Sequence, residues 1–243
     1  MDIQQYIAAD KELLLNLNGS QSLFWDGFMW VATSTIVWVP VAAMLLYIII
    51  KNNKIQEALL TIVMIALVIT LADQIASGLC KPFFARFRPT QDPNIMYMVD
   101  IVNGYRGGRF GFISSHAANT FAISVFLSLL IKRKSLTFML LFWAVLNSYS
   151  RIYLGVHYPG DILFGTIEGC FIGYLIYLLY KFIQKKIFYK LCSIYLKSTC
   201  PVPDFLRNLV KCTVNTIHLS LLINHHNSFI FFFKQKTAYE IGQ

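Results

Sequence analysis

Residues 58–89 read ALLTIVMIALVITLADQIASGLCKPFFARFRP. The first part, Ala58–Cys80, is an apolar run interrupted by a single charge, Asp73. A helix crossing hydrocarbon needs about 20 such residues. The second part, Lys81–Pro89, sets Lys81, Arg86 and Arg88 among Phe83, Phe84 and Phe87. A long apolar run ending in a cationic, aromatic cluster reads as a membrane helix that delivers polar groups to one bilayer surface.

The same grammar recurs outward from this stretch. Apolar runs extend from near Phe28 to Ile50, from Ala117 to Ile131, from Leu136 to about Tyr149 and on toward Gly155, and from Ile162 to near Ile183. The pattern predicts an all-α, polytopic transmembrane helical bundle of about five spans. Composition agrees: of 243 residues, 56% are hydrophobic and only 14% charged, with pI near 9.3 and mean hydropathy +0.56. A soluble domain usually carries about 25% charged residues.

Residues 1–24 are expected to form an interfacial amphipathic helix. Ile3, Tyr6, Ile7, Leu13, Leu14 and Leu17 recur at helical spacing among Asp2, Asp10 and Glu12, and Asn18-Gly19-Ser20 ends the pattern. No cleavable signal segment is expected in Met1–Ser20, which has no uninterrupted apolar core. Residues 25–183 form the expected transmembrane domain. From residue 184 to 243 the chain reads as a basic tail, broken by Pro201-Val202-Pro203. Within it, Lys234–Ile241, KQKTAYEI, resembles the conceptual translation of a sequencing-library adapter, so His218, His225 and His226 carry no functional expectation.

A net charge of +9 invites a nucleic-acid reading, but the cations sit at the ends of apolar runs. Lys51 and Lys54, the group Lys132–Lys134, and Lys181, Lys185, Lys186 and Lys190 fall on one side when the spans alternate, and the positive-inside rule makes that side cytoplasmic. The loops from Lys81 to Ser115 and from Arg151 to Asp161 then fall outside. They carry Lys81, Arg86, Arg88, Arg106, Arg109 and Arg151 against the rule, which points to an anion site there. The five cysteines form no CxxC pair and no zinc-like spacing with histidine, so neither metal nor cofactor is expected.

Three polar clusters share that outer side. In SRIYLGVHYPGD, residues 150–161, Arg151 offers a planar fork for phosphate oxygens. His157 and Asp161 are four apart, on one face if the segment is helical, and Asp beside His fixes the tautomer and stabilises the imidazolium formed on attack. In FISSHAAN, residues 112–119, Ser114, Ser115 and His116 stand at a helix start, where free N–H groups and hydroxyls suit an anion and the imidazole can protonate a leaving oxygen. In the first cluster Lys81, Arg86 and Arg88 stand among aromatics near the membrane surface, and Arg86 is assigned a general attraction for anionic headgroups.

Taken together, KxxxxxxRP at Lys81–Pro89, the Ser-Ser-His group at Ser114–His116 and SRxxxxxHxxxD at Ser150–Asp161 resemble the three-part signature of the type-2 phosphatidic acid phosphatase superfamily. The resemblance covers roughly residues 25–183. It departs from the usual Pro-Ser-Gly-His at Ile113 and Ser115. It implies a metal-independent lipid phosphatase in which His157 is the nucleophile forming a phosphohistidine, Asp161 orients it, and His116 is the general acid and then the base. It implies that Lys81, Arg88, Ser114, Ser115 and Arg151 hold the phosphate. The expected partners are a phosphorylated membrane lipid and the bilayer, not nucleic acid. The expected place is a bacterial plasma membrane, with the site facing the periplasm or exterior. By analogy with small bacterial members, undecaprenyl diphosphate is the first substrate expected. Phosphatidylglycerol phosphate, phosphatidic acid and lipid A stay open, as do a lipid phosphotransferase and a non-catalytic phospholipid-binding member.

Overall fold

A computed structural model describes residues 2–20 and 22–199, with side chains up to Lys186. Residues 1–184 form one compact unit, which holds everything below. The expectations for Lys234–Ile241 and the three late histidines lie outside the described residues.

The helices are α1 (Ile3–Leu17), α2 (Leu23–Thr33), α3 (Thr35–Asn52), α4 (Ile55–Asp73), α5 (Lys81–Phe84), α6 (Ser115–Ile131), α7 (Lys134–Tyr153) and α8 (Pro159–Thr199). Three stretches are long and apolar enough to cross a membrane: Thr35–Asn52, Ile55–Phe84 and Pro159–Lys186. The 17-residue α6 is a shorter apolar helix. The 20-residue α7 places the polar Asn147, Ser148, Ser150 and Arg151 at its buried end.

Each expected span therefore has a helix, with two differences. The first expected run divides at Ser34, whose extended backbone separates α2 from α3. The second runs unbroken from α4 through a π-helical stretch, Gln74–Cys80, into α5. An inserted π segment shifts the helical register and is common at functional sites. Here it lies immediately before Lys81. Ala85, with φ 46°, then ends α5, so that Arg86–Arg88 leave in extended form. Residues 93–98 make hydrogen-bonded turns beside Asp92, whose Oδ1 accepts from both Asn94 nitrogens. That side chain supplies a local alternative to the helical ladder.

Between α6 and α8 the backbones touch. A Cβ on Gly165 would lie 2.6 Å from the Ser114 carbonyl oxygen, and one on Gly169 or Gly173 would collide with the carbonyls of Ala118 or Ala122. Small residues every four positions let membrane helices approach this closely. The Ser114 N–H also donates to the Asp161 carbonyl at 3.1 Å. The main apolar core lies in the body of the bundle, around Val68, Ala72, Ala122, Phe126 and Leu140.

The N-terminal helix is held by the loops that carry the polar clusters. Leu14 is fully buried among Ile95, Val99, Ile152 and Tyr158. Asn18 Nδ2 donates to the carbonyls of Tyr153 at 2.7 Å and Asp100 at 3.1 Å, and its Oδ1 accepts from the Asp100 N–H at 2.7 Å. Its other face is open, with Ile3 and Tyr6 exposed.

Candidate active site

The three sequence clusters converge at one end of the bundle. His157 lies in the turn between α7 and α8, and Asp161 in the first turn of α8. The expected pairing of residues four apart is thus made by a turn and a helix start, not by a continuous helix. His157 Nδ1 lies 3.4 Å from Asp161 Oδ2, and the Gly111 backbone also hydrogen-bonds the imidazole. With Nδ1 occupied on this side, Nε2 is the nitrogen left for chemistry.

Both side chains are almost wholly buried: His157 is 1% exposed and Asp161 0%. Burial, then the charges of Arg88, Arg151 and Lys81, holds the His157 imidazole well below its usual range. The ring is therefore neutral near neutral pH. Every polar edge of Asp161 is engaged. Its Oδ2 accepts from the Tyr158 N–H at 3.1 Å, and its Oδ1 accepts from Arg86 at 2.8 Å.

Around His157 stand three cations, and among the described residues none of them has a carboxylate partner within salt-bridge distance. Lys81 Nζ donates to Ser77 Oγ at 2.9 Å and Ser115 Oγ at 3.1 Å. Arg88 Nε donates to the Phe110 carbonyl at 3.1 Å, and Nη1 to that of Val156 at 3.5 Å. Arg151 donates to Thr33 Oγ1 at 2.8 Å and to the Tyr105 hydroxyl at 3.2 Å, leaving its buried Nε without a partner. Arg88 is 9% exposed and Arg151 3%. Burying like charges together is costly unless an anion joins them. Burial and the neighbouring Arg151 both push the Arg88 guanidinium down.

The start of α6 adds donors. Ser114 is the N-cap, its Oγ accepting weakly from Ala117 at 3.5 Å. Its own N–H is committed to the Asp161 carbonyl, and its hydroxyl, which accepts from Ala117, keeps an O–H to donate. The Ser115 and His116 N–H groups are the first-turn donors with no intrahelical partner. His116 sits on the same turn, within electrostatic reach of Arg151, His157, Lys81 and Arg88. Among the described residues no three His, Cys, Asp or Glu side chains gather as a metal site.

Lys81, Arg88, Ser115, His116, Arg151, His157 and Asp161 are thus brought together. Sequence reasoning placed Arg86 elsewhere. It is not a free headgroup cation: Nη1 binds Asp161 Oδ1 at 2.8 Å, Nη2 binds Asp10 Oδ2 at 2.7 Å, and the guanidinium lies 3.9 Å from the Tyr158 ring centre. Asp10 was missed altogether. It is 76 residues from Arg86, and its role has no local signature.

Residues 59–185 match the PAP2 superfamily. The chain is 46% identical over 195 residues to a lipid A 4'-phosphatase of Bacteroides thetaiotaomicron, covering 80% of this chain and 83% of the relative. It is 30% identical over 177 residues to an undecaprenyl-diphosphatase of Sulfolobus acidocaldarius, covering 71% and 79%. Its fold is similar to that of a transmembrane PAP2-type phosphatidylglycerolphosphate phosphatase of Bacillus subtilis, with TM-score 0.54, 23% identity and coverage of 75% and 88%.

Proposed function

The chain belongs to the PAP2 superfamily and is a multi-pass bacterial membrane phosphatase acting on lipid, and from that premise we propose that its substrate is lipid A, from which it removes the 4'-phosphate. The substrate reading moves away from undecaprenyl diphosphate because the relative named for lipid A is 46% identical and the one named for undecaprenyl diphosphate 30%. The observation that carries the chemistry is the pair of buried arginines, Arg88 and Arg151, with the half-buried Lys81, around a neutral histidine, which leaves a place for a phosphate.

In this reading the lipid phosphate lies between Lys81, Arg88 and Arg151, with the Ser115 and His116 N–H groups completing the cradle. His157 Nε2 attacks phosphorus, and the bond from phosphorus to the lipid oxygen breaks. The electron pair leaves on that oxygen, which takes a proton from His116 and departs as the lipid hydroxyl. Asp161 balances the charge developing on the His157 ring through Nδ1. His116, now neutral, takes a proton from water as the water oxygen attacks the phosphohistidine. The N–P bond breaks, its pair returns to Nε2, and inorganic phosphate leaves. The site faces the periplasm or exterior, and the lipid enters sideways from the bilayer.

Purified full-length protein in detergent, offered lipid A, undecaprenyl diphosphate and phosphatidylglycerol phosphate separately, tests the reading. Preferential phosphate release from the 4' position of lipid A supports it. Preference for undecaprenyl diphosphate would return the assignment to the carrier lipid. Appearance of the phosphate on a second lipid, with none in water, would make the protein a transferase.

A further inference from the structure

Arg86 is the one cation of the outer cluster whose charge is fully answered. One arm of its fork reaches Asp161, and the other reaches Asp10 on α1. The guanidinium plane is backed by the ring of Tyr158, which is itself 1% exposed. Burial, then the neighbouring Asp92, pushes the Tyr158 phenol up, so it stays protonated and donates to Asp92 Oδ2 at 2.9 Å. Asp92 also holds Lys11 of α1 at 2.7 Å. Asp10 is fixed from a third direction, its Oδ1 accepting the Gly160 N–H at 2.8 Å. That approach requires glycine: a Cβ at position 160 would sit 2.8 Å from Asp10 Oδ2.

The chain of contacts runs α1, Asp10, Arg86, Asp161, His157. Its outer end lies on a helix that supplies nothing to the phosphate cradle. Its inner end is the carboxylate that orients the nucleophile. The charge of Arg86 is already answered by two carboxylates, which makes it a poorer phosphate ligand than a cation that has none.

We propose that Arg86 is a positioning residue that fixes Asp161 against His157, and that α1 is the clamp that holds Arg86 in place through Asp10. The N-terminal helix is then a working part of the catalytic site rather than only a membrane-surface anchor. This rests on the reading of His157 as nucleophile. A bidentate arginine between two carboxylates fixes geometry as well as charge. A lysine keeps the charge but reaches one carboxylate at a time.

The experiment compares Asp10→Asn, Arg86→Lys, Arg86→Gln and His157→Ala with the unaltered protein, in detergent. Lipid A is the probe, with undecaprenyl diphosphate in parallel. The readouts are kcat, KM and the rate of phosphoenzyme formation in a single turnover. Thermal unfolding in the same detergent verifies each variant's fold. Arg86→Gln is expected to lower kcat about 100-fold, because the buried Asp161 loses its cationic partner and the contact that holds Oδ1. Arg86→Lys should recover part of that loss. Asp10→Asn, which leaves the Arg86–Asp161 pair intact, should cost about tenfold in kcat. KM should stay within about twofold throughout, and phosphoenzyme formation should slow in the same order. A rise in KM with kcat unchanged in the Arg86 variants would make Arg86 a phosphate ligand and overturn the positioning role. An unaltered or faster Asp10→Asn protein would overturn the clamp, since removing a competing carboxylate helps a ligand but harms a strut. Activity surviving in His157→Ala is a separate result, and it strikes the site assignment itself.

Discussion

Arg86 and Arg88 leave the same helix end two residues apart, and they are treated in opposite ways. Arg86 lies between two carboxylates and under an aromatic ring. Arg88, like Lys81 and Arg151, donates only to neutral oxygens among the described residues. Residues two apart in a strand would share a face, yet one guanidinium reaches Asp10 of α1 and the other stands beside His157. The contrast teaches that charge alone does not mark a ligand. What marks a phosphate site is buried charge left without its counter-ion, and what marks a strut is charge already satisfied.

The comparison breaks most sharply at the nucleophile. His157→Ala is expected to reduce phosphate release by about 10⁴-fold or more while the bundle stays folded, read by a phosphate assay beside thermal unfolding. Arg88→Ala and Arg151→Ala come next, each losing about 10²–10³-fold in kcat/KM as transition-state charge goes uncompensated. Steady-state kinetics would report this, with KM rising as well, unlike the Arg86 series. A smaller effect, about tenfold in kcat, is expected for Gly160→Ala, whose methyl displaces Asp10 and so disturbs Arg86 at second hand.

The pH profile sharpens the contrast with the least perturbation. The lowered His157 pKa means that the free protein's imidazole takes a proton only well below the ordinary value near 6.5. The acid limb of kcat/KM set by His157 should therefore lie below that pH, with activity lost as the ring protonates. Arg88→Ala removes one of the cations that depress the ring, so its limb should move to higher pH. Asp10→Asn should leave the limb where it is.

Much of this was readable in the chain because the signals are local. Apolar runs of span length announced α3, α4, α6, α7 and α8, and the spacing of His157 and Asp161 announced their contact. The role of Ser114 was less visible, since its N–H is taken by the Asp161 carbonyl only once α6 and α8 meet at Gly165. The division at Ser34 was hidden because both flanking segments are apolar. Arg86 was misassigned because its two partners are 75 and 76 residues away. No window of sequence shows that Asp10 docks beside Gly160. Long-range ion pairs depend on how helices pack, and periodicity carries no record of them.

The central claim is that His157 takes the phosphoryl group. The most direct test is rapid acid-free quenching of full-length protein with lipid carrying a radiolabelled phosphate, followed by peptide mapping. An acid-labile, alkali-stable label on the peptide containing His157, absent from His157→Ala and still formed by His116→Ala, is the result expected. Label on His116, or turnover with no trapped phosphoprotein under conditions where product forms in a burst, would contradict it.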